Sequence, residues 1–362
     1  MTGSSAIRTA MSLKSILRSA YPWTKSPFIA SAPMLNIAMP SLAVSVSSAG
    51  GLGFLAAGFD VSNLELNLEE TARLVREQSG SPMHKFSDDL GILPVGVGFL
   101  IWGADLSLSV AAVEKYKPCA VWLFGPESQP DDLVSWVERV RTVTSGKTQI
   151  WVQVGSVAEA TTVTKALDPD VLVVQGSDAG GHGLARSASV LTLVPEVRDA
   201  LHHRRIPILA AGGIVDGRGV AASLALGSEG VVMGTRFLAS LEANIARGYQ
   251  AEILRVSDGG ISTVRSTVYD RVRGIGGWPT RYDGRGVIND SYVDAVERGL
   301  SDEENKRRYE EELTKGDSGW GPSGRLTTYA GTGVGLVKEN LSAAAIIEGV
   351  LLEANKVIME MS

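Results

Sequence analysis

The sequence contains little cysteine and little histidine, with one cysteine and four histidines in 362 residues. A single cysteine excludes a disulfide within the chain, and the apolar run CAVWLF around Cys119 predicts a buried side chain rather than a nucleophile. No CxxC pair and no HExxH motif occurs, so a metal site built from protein ligands is not expected. Disulfide scaffolds and zinc sites of the usual spacing are therefore excluded.

A strong net charge and long apolar runs are also missing. The formal net charge is -6, which gives no electrostatic reason to expect a nucleic acid or an acidic membrane as a partner. No apolar run reaches the roughly 18 residues that a membrane-spanning helix needs. Residues 1–27 contain basic but no acidic side chains. We expect a cytoplasmic protein whose segment SLKSILRSAY forms a helix under the domain; a mitochondrial leader is the weaker alternative.

A repeated unit fills most of the chain: a short apolar run, a turn of small residues, then a helical pattern. Most of the runs are continuous rather than alternating, which is typical of strands buried on both faces. The unit predicts a (β/α)8 TIM barrel within an α/β fold class. A doubly wound sheet is the alternative, but no GxGxxG motif follows the first run. The eight runs lie at 28–33, 53–58, 93–99, 119–124, 150–155, 171–176, 206–213 and 230–234.

The region 258–330 departs from this repeat. It is rich in glycine, arginine and acidic residues, and its stretch 292–316 predicts one charged helix with few apolar anchors. We therefore expect three parts: a barrel at 12–257, a helical and irregular insertion beside the barrel mouth at 258–330, and a return segment with a closing helix at 331–362.

Two glycine-containing segments are expected at the ends of the last two barrel strands. AAGGI (210–214) and MGTRF (233–237) would bring backbone N–H groups close to an anion, and the second segment precedes a helix. A phosphate site between strands 7 and 8 is a recurrent feature of these barrels. The two segments together favour a phosphate site over tight turns without a ligand.

The segment QGSDAGGHG, residues 175–183, follows the sixth apolar run and contains one histidine among glycines. His182 is the main polar group there that is large enough to reach a substrate, and imidazole exchanges protons near neutral pH. Asp178 is expected to cap the turn through its carboxylate. Of the other histidines, His84 lies in a predicted loop and 202–203 lie at a helix end. His182 is therefore the candidate catalytic residue.

Five segments resemble, in matching order, the nitronate monooxygenase family, formerly called 2-nitropropane dioxygenases. They are SAPMLNIAMPSLAVSVSSAGGLGFL, VQVGSVAEA, QGSDAGGHG, LAAGGIVDGRGVAASLALGSEGVVMGTRFLAS and YAGTGVGLV. The resemblance covers roughly residues 12–350, and PVGVGFLIWGADL and AVWLFGP look most like fungal members. It implies an FMN-dependent (β/α)8 barrel.

The resemblance also implies roles for individual residues. His182 matches the family's catalytic histidine and would act as a base, and alkyl nitronates, with nitroalkanes left open, would be oxidised by O2 to a carbonyl compound and nitrite. The partners are then a small-molecule substrate and O2; a homodimer is left open. The residues implied to contact FMN are Ala32, Pro33, Met34, Gln153, Gly180 and Gly181 near the flavin ring, and Gly212, Gly213, Gly234 and Thr235 at the phosphate.

One departure from the family pattern leaves the substrate open. Leu123 stands where many bacterial members have a histidine, so we expect a less polar pocket on that side. The aromatic residues Trp278, Tyr282 and Trp320 either widen an apolar pocket or pack inside the insertion. Three other functions stay open: an FMN-dependent enoyl-thioester reductase using NAD(P)H, a flavin monooxygenase or oxidase of specialised metabolism acting on another carbon acid, and a phosphoanion-binding barrel without redox chemistry.

Overall fold

The computed structural model describes residues 12–361 and contains two sheets and a shell of helices. The strands are β1 (Phe28–Ser31), β2 (Phe54–Gly58), β3 (Leu93–Leu100), β4 (Pro118–Phe124), β5 (Gln149–Val154), β6 (Val171–Gln175), β7 (Gly181–Leu184), β8 (Ile208–Ala211), β9 (Gly230–Met233), β10 (Thr263–Ser266) and β11 (Tyr282–Val287). The helices are α1 (Leu13–Ala20), α2 (Pro40–Ser48), α3 (Leu64–Glu77), α4 (Pro82–Leu90), α5 (Leu106–Tyr116), α6 (Asp131–Thr144), α7 (Val157–Leu167), α8 (Val190–Ala200), α9 (Gly217–Ala225), α10 (Thr235–Leu238), α11 (Arg247–Arg255), α12 (Gly259–Ser262), α13 (Val268–Arg273), α14 (Asp290–Val296), α15 (Asp302–Leu313) and α16 (Ala343–Met361), with 3-10 turns at Gly316–Gly319 and Thr332–Leu336.

The larger sheet has eight strands, all paired in parallel, in the order β1-β9-β8-β6-β5-β4-β3-β2. The sheet curls until its edge strands β1 and β2 meet. Two hydrogen bonds join these edges: the Leu52 N–H donates to the Ile29 carbonyl at 2.9 Å, and the Ser31 N–H donates to the Leu52 carbonyl at 3.0 Å. Helices cover its outer face, as a parallel sheet buried on both faces requires. The eight predicted strands are confirmed, and the fold is TIM-barrel-like.

The inside of the barrel is closed at its amino-terminal end by aromatic side chains. Trp151 lies fully buried between Phe54, at 4.8 Å between ring centroids, and Tyr21, at 6.0 Å. The Trp151 indole N–H donates to the Tyr21 hydroxyl at 2.7 Å. Tyr21 immediately follows α1, so the expected helix under the domain is confirmed. Arg8, part of the basic stretch considered as a leader, lies outside the described residues, as does Ser362.

The smaller sheet is antiparallel, with the order β10-β11-β7. Its strand β7 contains His182, which pairs with Gly284 of β11. The sequence predicts only a loop at 175–183, because GHGL has no apolar alternation that would indicate a strand. The strand forms because β11, about 100 residues away, supplies the missing hydrogen-bond partners. This pairing fixes the backbone of the candidate catalytic residue.

Residues 258–330 contain β10, β11 and short helices packed around a small apolar core of Val268, Val272, Tyr309 and Leu326. The single charged helix predicted at 292–316 is wrong. The chain instead forms α14 and α15, since Gly299 has a φ of +67° and Ser301 caps the second helix by accepting from the Glu304 N–H at 3.3 Å.

Two further helices differ from the sequence interpretation. His84 lies in α4 and not in a loop, because Ser81 caps that helix by accepting from the His84 N–H at 3.2 Å and Pro82 occupies its first turn. The apolar periodicity also does not predict α5, which Asp105 caps by accepting from the Leu108 N–H at 2.8 Å. Within residues 12–361, no helix combines the length and apolar character needed to cross a bilayer.

Candidate active site

A cavity of about 490 Å³ lies at the carboxyl-terminal ends of the barrel strands. Its wall comes partly from the barrel and partly from the region 258–330. Every site residue that the sequence predicts borders it: Ala32, Pro33, Met34, Gln153, Gly180, Gly181, His182, Gly212, Gly213, Gly234 and Thr235. The structure thus brings together residues that are up to 203 positions apart, from Ala32 to Thr235.

The glycines after β8 and β9 form one side of the cavity. Gly212 and Gly213 have φ values of +119° and +73°, which side chains other than glycine rarely adopt. A Cβ added to Gly234 would make only ordinary van der Waals contacts, to Ala32 Cβ at 3.6 Å and Met34 Sδ at 3.9 Å. The absence of side chains leaves this wall as backbone, which a ligand can approach closely.

Gln153 presents an unused hydrogen-bond donor to the cavity. Its Oε1 accepts from the Trp122 indole N–H at 3.0 Å, and its Nε2 is buried without a hydrogen-bond partner in the described structure. A buried amide that lacks a partner costs free energy, so such a group is usually satisfied by a ligand or a water molecule. Gln153 therefore offers N–H groups to a bound molecule.

His182 is held by contacts to one of its ring nitrogens and to one face of its ring. Its Nε2 lies 3.0 and 2.9 Å from the two carboxylate oxygens of Asp270. The indole of Trp278 stacks on the imidazole with 3.8 Å between centroids and 4° between planes. The Nδ1 atom forms no hydrogen bond within residues 12–361. The ring thus borders the cavity, and one of its two nitrogens is unpaired within the described residues.

Tyr329 completes a chain of three polar groups. Its hydroxyl donates to Asp270 Oδ1 at 3.0 Å, and its ring lies 5.4 Å from the His182 ring. Burial, with a smaller contribution from the Asp270 carboxylate, raises the pKa of Tyr329 well above its ordinary value. The phenol therefore stays protonated and continues to donate.

Arg265 of β10 links the glycine-rich segment 175–183 to the smaller sheet through hydrogen bonds. Its guanidinium donates to the carbonyls of Ala179 at 2.9 Å and Asp283 at 2.6 Å. Burial, together with the nearby Arg285, lowers the pKa of Arg265 to about 10. Asp178 does not cap its own turn as expected: its carboxylate accepts from the Thr332 hydroxyl at 3.3 Å, because the 3-10 turn after β11 packs against this segment.

One formal charge borders the cavity among the described residues, and it is the guanidinium of Arg273. Its Cζ lies 5.5 Å from the Tyr329 ring centroid. No Asp or Glu within residues 12–361 lines the cavity, and no three His, Cys, Asp or Glu side chains there are grouped to hold a metal. The cavity therefore favours an anion.

Of the three aromatic residues singled out in the region 258–330, two line the cavity and one packs inside the region. Trp278 and Trp320 border the cavity, whereas Tyr282 packs behind Trp278 with 6.0 Å between centroids. Gly277 lets Trp278 take this position, since its φ is +96° and an added Cβ would lie 2.4 Å from Trp102 Cζ3. The region therefore supplies an aromatic wall to the cavity.

The expectation that Leu123 faces the pocket is wrong. Side chains alternate along a strand, and Trp122 and Phe124 border the cavity, so Leu123 between them points to the outer side of the barrel. Leu123 is fully buried on that outer side. Its neighbours Trp122 and Phe124 border the cavity instead, so the polarity of the pocket depends on them.

Sequence reasoning missed Asp270, Arg273 and Tyr329. Asp270 is 88 residues from His182 and belongs to a six-residue helix without a motif. Tyr329 stands in the segment YAGTGVGLV that carries the family resemblance, but nothing in that segment indicates its carboxylate partner. The signal that could have found them is the pairing of β11 with β7, which the glycine-rich sequences of both strands conceal.

Comparison with protein families and curated sequences finds relatives over most of the chain. The family model for nitronate monooxygenase matches residues 109–353. The chain is 48% identical to the nitronate monooxygenase npaC of Metarhizium robertsii over 336 residues, covering 92% of each chain. It is 37% identical to a nitronate monooxygenase of Neurospora crassa over 359 residues, covering 94% of this chain and 92% of that one.

Solved structures show the same fold at low sequence identity. The nitroalkane oxidase of Streptomyces ansochromogenes superposes with a TM-score of 0.71 at 22% identity, covering 96% of this chain and all (100%) of that one. An enoyl reductase domain of MlnA from Bacillus amyloliquefaciens gives 0.68 at 10% identity, covering 95% and 98%. The fold is thus common to proteins named for different reactions, whereas the sequence matches are specific: this chain belongs to the nitronate monooxygenase family of oxidoreductases.

Proposed function

We propose that this protein binds FMN and uses O2 to oxidise alkyl nitronates, and nitroalkanes after their deprotonation, to carbonyl compounds and nitrite. The observation that carries the proposal is that His182, whose Nδ1 has no hydrogen-bond partner among the described residues, borders a cavity in which the one charged side chain of residues 12–361 is a cation. The reaction balances when two nitronate anions and one O2 give two carbonyl compounds and two nitrite anions.

The residues around the cavity suit FMN. Gly212, Gly213, Gly234 and Thr235 would hold the phosphate through backbone N–H groups, as loops after the last strands of such barrels do. Met34, with Ala32 and Pro33, and Gly181, with Gly180, would border the flavin ring. The unpartnered Nε2 of Gln153 is a donor of the kind that the ring's nitrogen and oxygen atoms accept. When bound, FMN would accept electrons from the substrate and pass them to oxygen.

His182 would act on a neutral nitroalkane by removing a proton from the carbon that bears the nitro group. The C–H bond breaks, the proton goes to Nδ1, and the electron pair remains on the substrate as the nitronate. A general base of this kind contributes typically 10²- to 10⁴-fold to a rate. A nitronate supplied as such has already lost that proton, so it does not need this step.

Arg273 and the aromatic wall would orient the anion. A guanidinium next to aromatic rings is weakly solvated, so its attraction for a nitronate is less screened than at an open surface. Trp278 and Tyr329 would exclude water from the reacting carbon. These contacts favour an anionic nitronate of modest size over a long neutral substrate.

The main competing function is an enoyl-thioester reductase that uses NAD(P)H. The similarity of the fold to an enoyl reductase domain is the observation in its favour. The names of the sequence relatives favour the nitronate reaction. An enzyme for another carbon acid would use the same base, and a barrel that only binds a phosphoanion would carry no flavin.

The test is anaerobic reduction of the purified protein. We expect a yellow protein whose flavin absorbance is bleached by ethyl nitronate and restored by oxygen, with nitrite and acetaldehyde as products. Reduction by NADH or NADPH and not by the nitronate would replace the proposal with the reductase. A colourless protein that does not take up FMN would leave a phosphoanion-binding barrel without redox chemistry as the remaining candidate function.

The three-part division at 12–257, 258–330 and 331–362 stays a proposal. The pairing of β11 with β7 supports it, since the region 258–330 joins the barrel at its mouth. The cytoplasmic location and the homodimer stay predictions.

A further inference from the structure

We propose that Asp270 is a positioning residue that makes Nδ1 of His182 the base. The inference rests on the proposed function, in which His182 takes a proton from the substrate. Asp270 does not border the cavity, and it contacts His182 from behind. It therefore acts on the reaction through the imidazole and not by touching the substrate.

The geometry of the pair determines which nitrogen carries hydrogen. An ionised carboxylate only accepts hydrogen bonds, and both oxygens of Asp270 lie within 3.0 Å of Nε2. Nε2 must therefore be the N–H donor. The lone pair of the neutral ring is then left on Nδ1, the nitrogen without a partner in residues 12–361.

The carboxylate is itself fixed in place. Asp270 is 7% exposed, the Tyr329 hydroxyl donates to its Oδ1 at 3.0 Å, and the Ile275 N–H donates to its carbonyl at 3.0 Å. On the other side of the pair, the Gln175 amide donates to the His182 carbonyl at 3.0 Å. The imidazole therefore has one orientation before any substrate arrives.

The same carboxylate stabilises the ring after proton transfer. When Nδ1 takes the proton, the imidazolium lies against a negative charge in a pocket where both side chains are 10% exposed. A charge-assisted hydrogen bond of this kind is stronger than a neutral one. Asp270 thus favours the charged product of the step that a nitroalkane needs and a nitronate does not.

The kinetic test compares Asp270→Asn with wild type on nitroethane and on ethyl nitronate. We expect kcat on nitroethane to fall by roughly 10² to 10⁴, as other losses of general-base function do, with kcat on the nitronate within about threefold of wild type. Asp270→Glu should recover part of the nitroethane activity. The control is Asp294→Asn, which removes a buried carboxylate bound to Arg325 at 2.7 Å, away from the cavity. It should leave the ratio of the two activities unchanged.

The spectroscopic test does not depend on turnover. In ¹H–¹⁵N spectra of histidine-labelled wild-type protein, the Nε2 proton of His182 should be shifted downfield and protected from exchange, with the signal assigned by its loss in His182→Asn. In Asp270→Asn the signal should move upfield or disappear. If that variant does not fold, the wild-type spectrum still decides, since a ring protonated on Nδ1 and not on Nε2 overturns the inference.

Failure of the inference and failure of the proposed function give different results. Equal losses on nitroethane and ethyl nitronate in Asp270→Asn would show a merely structural role for Asp270. A wild-type protein that oxidises neither compound would refute the proposed function, and the spectrum would then decide the role of Asp270 alone.

Discussion

At the scale of the residue, the site depends on side chains whose roles follow from their neighbours more than from their type. Gln153, Asp270 and Tyr329 are of common residue types, and a hydrogen bond to another side chain gives each its position in the site. His182 could be found in the sequence because the end of a barrel strand is where reactive groups are expected. Its partners could not, since no local pattern records a contact between residues 59 or 88 positions apart.

Substitution His182→Asn should keep FMN and lose activity on nitroethane more than on ethyl nitronate. In the proposed mechanism the asparagine removes the base, which only the neutral compound needs. Flavin content and steady-state rates on both compounds would check this. Equal losses on both would argue against a role as base.

Substitution Arg273→Gln should raise KM for ethyl nitronate by about tenfold, equivalent to roughly 1.4 kcal/mol of lost binding. KM for neutral nitroethane should change less, because the charge that attracts the anion is what is lost. The control is Arg271→Gln on the same helix, whose guanidinium pairs with Asp302 at 2.9 Å outside the cavity. A similar rise for both substrates would contradict the electrostatic role.

At the scale of the element, the sequence predicts the barrel strands well and the smaller sheet not at all. A strand buried on both faces is a run of apolar residues, and such a run is visible without its neighbours. The strands TVRS, YDGRGV and GHGL lack both continuity and alternation, so only their mutual hydrogen bonds define them. The helix α4 differs, since its cap at Ser81 is local; its apolar pattern is weak because only Met83 and Phe86 of its nine residues are buried.

The turn before Trp278 should be sensitive to a single methyl group. Gly277→Ala forces a φ of +96° on alanine and brings its Cβ within 2.4 Å of Trp102, so we expect a loss of roughly 1 to 3 kcal/mol in the free energy of unfolding. Displacement of Trp278 should also lower kcat on nitroethane. Urea denaturation and kinetics would measure both. The neighbouring Gly276→Ala is a matched control, since its Cβ would meet nothing within 4 Å.

At the scale of the whole molecule, burial gives the fold a dependence on alkaline pH. Burial raises the pKa of Tyr21, Tyr249 and Tyr269 above the ordinary value of 10.0 and raises that of Tyr282 to about 12. The folded state holds these protons more tightly than the unfolded chain, so their contribution is complete below about pH 10 and is lost as the pH rises from there. The urea concentration at the midpoint of unfolding should decrease as the pH is raised from 9 to 11. A constant midpoint over that range would contradict the prediction.

Two separate parts of the chain supply the site, so mutations can alter one part without the other. The two side chains that contact the imidazole of His182, Asp270 and Trp278, come from one continuous stretch of chain, whereas Gln153 and the glycines after β8 and β9 belong to the barrel. Mutations of these two side chains can therefore change the surroundings of the imidazole while leaving the glycines after β8 and β9 unchanged. Exchange of this segment between relatives offers a short route to new reactions, both in natural divergence and in the laboratory.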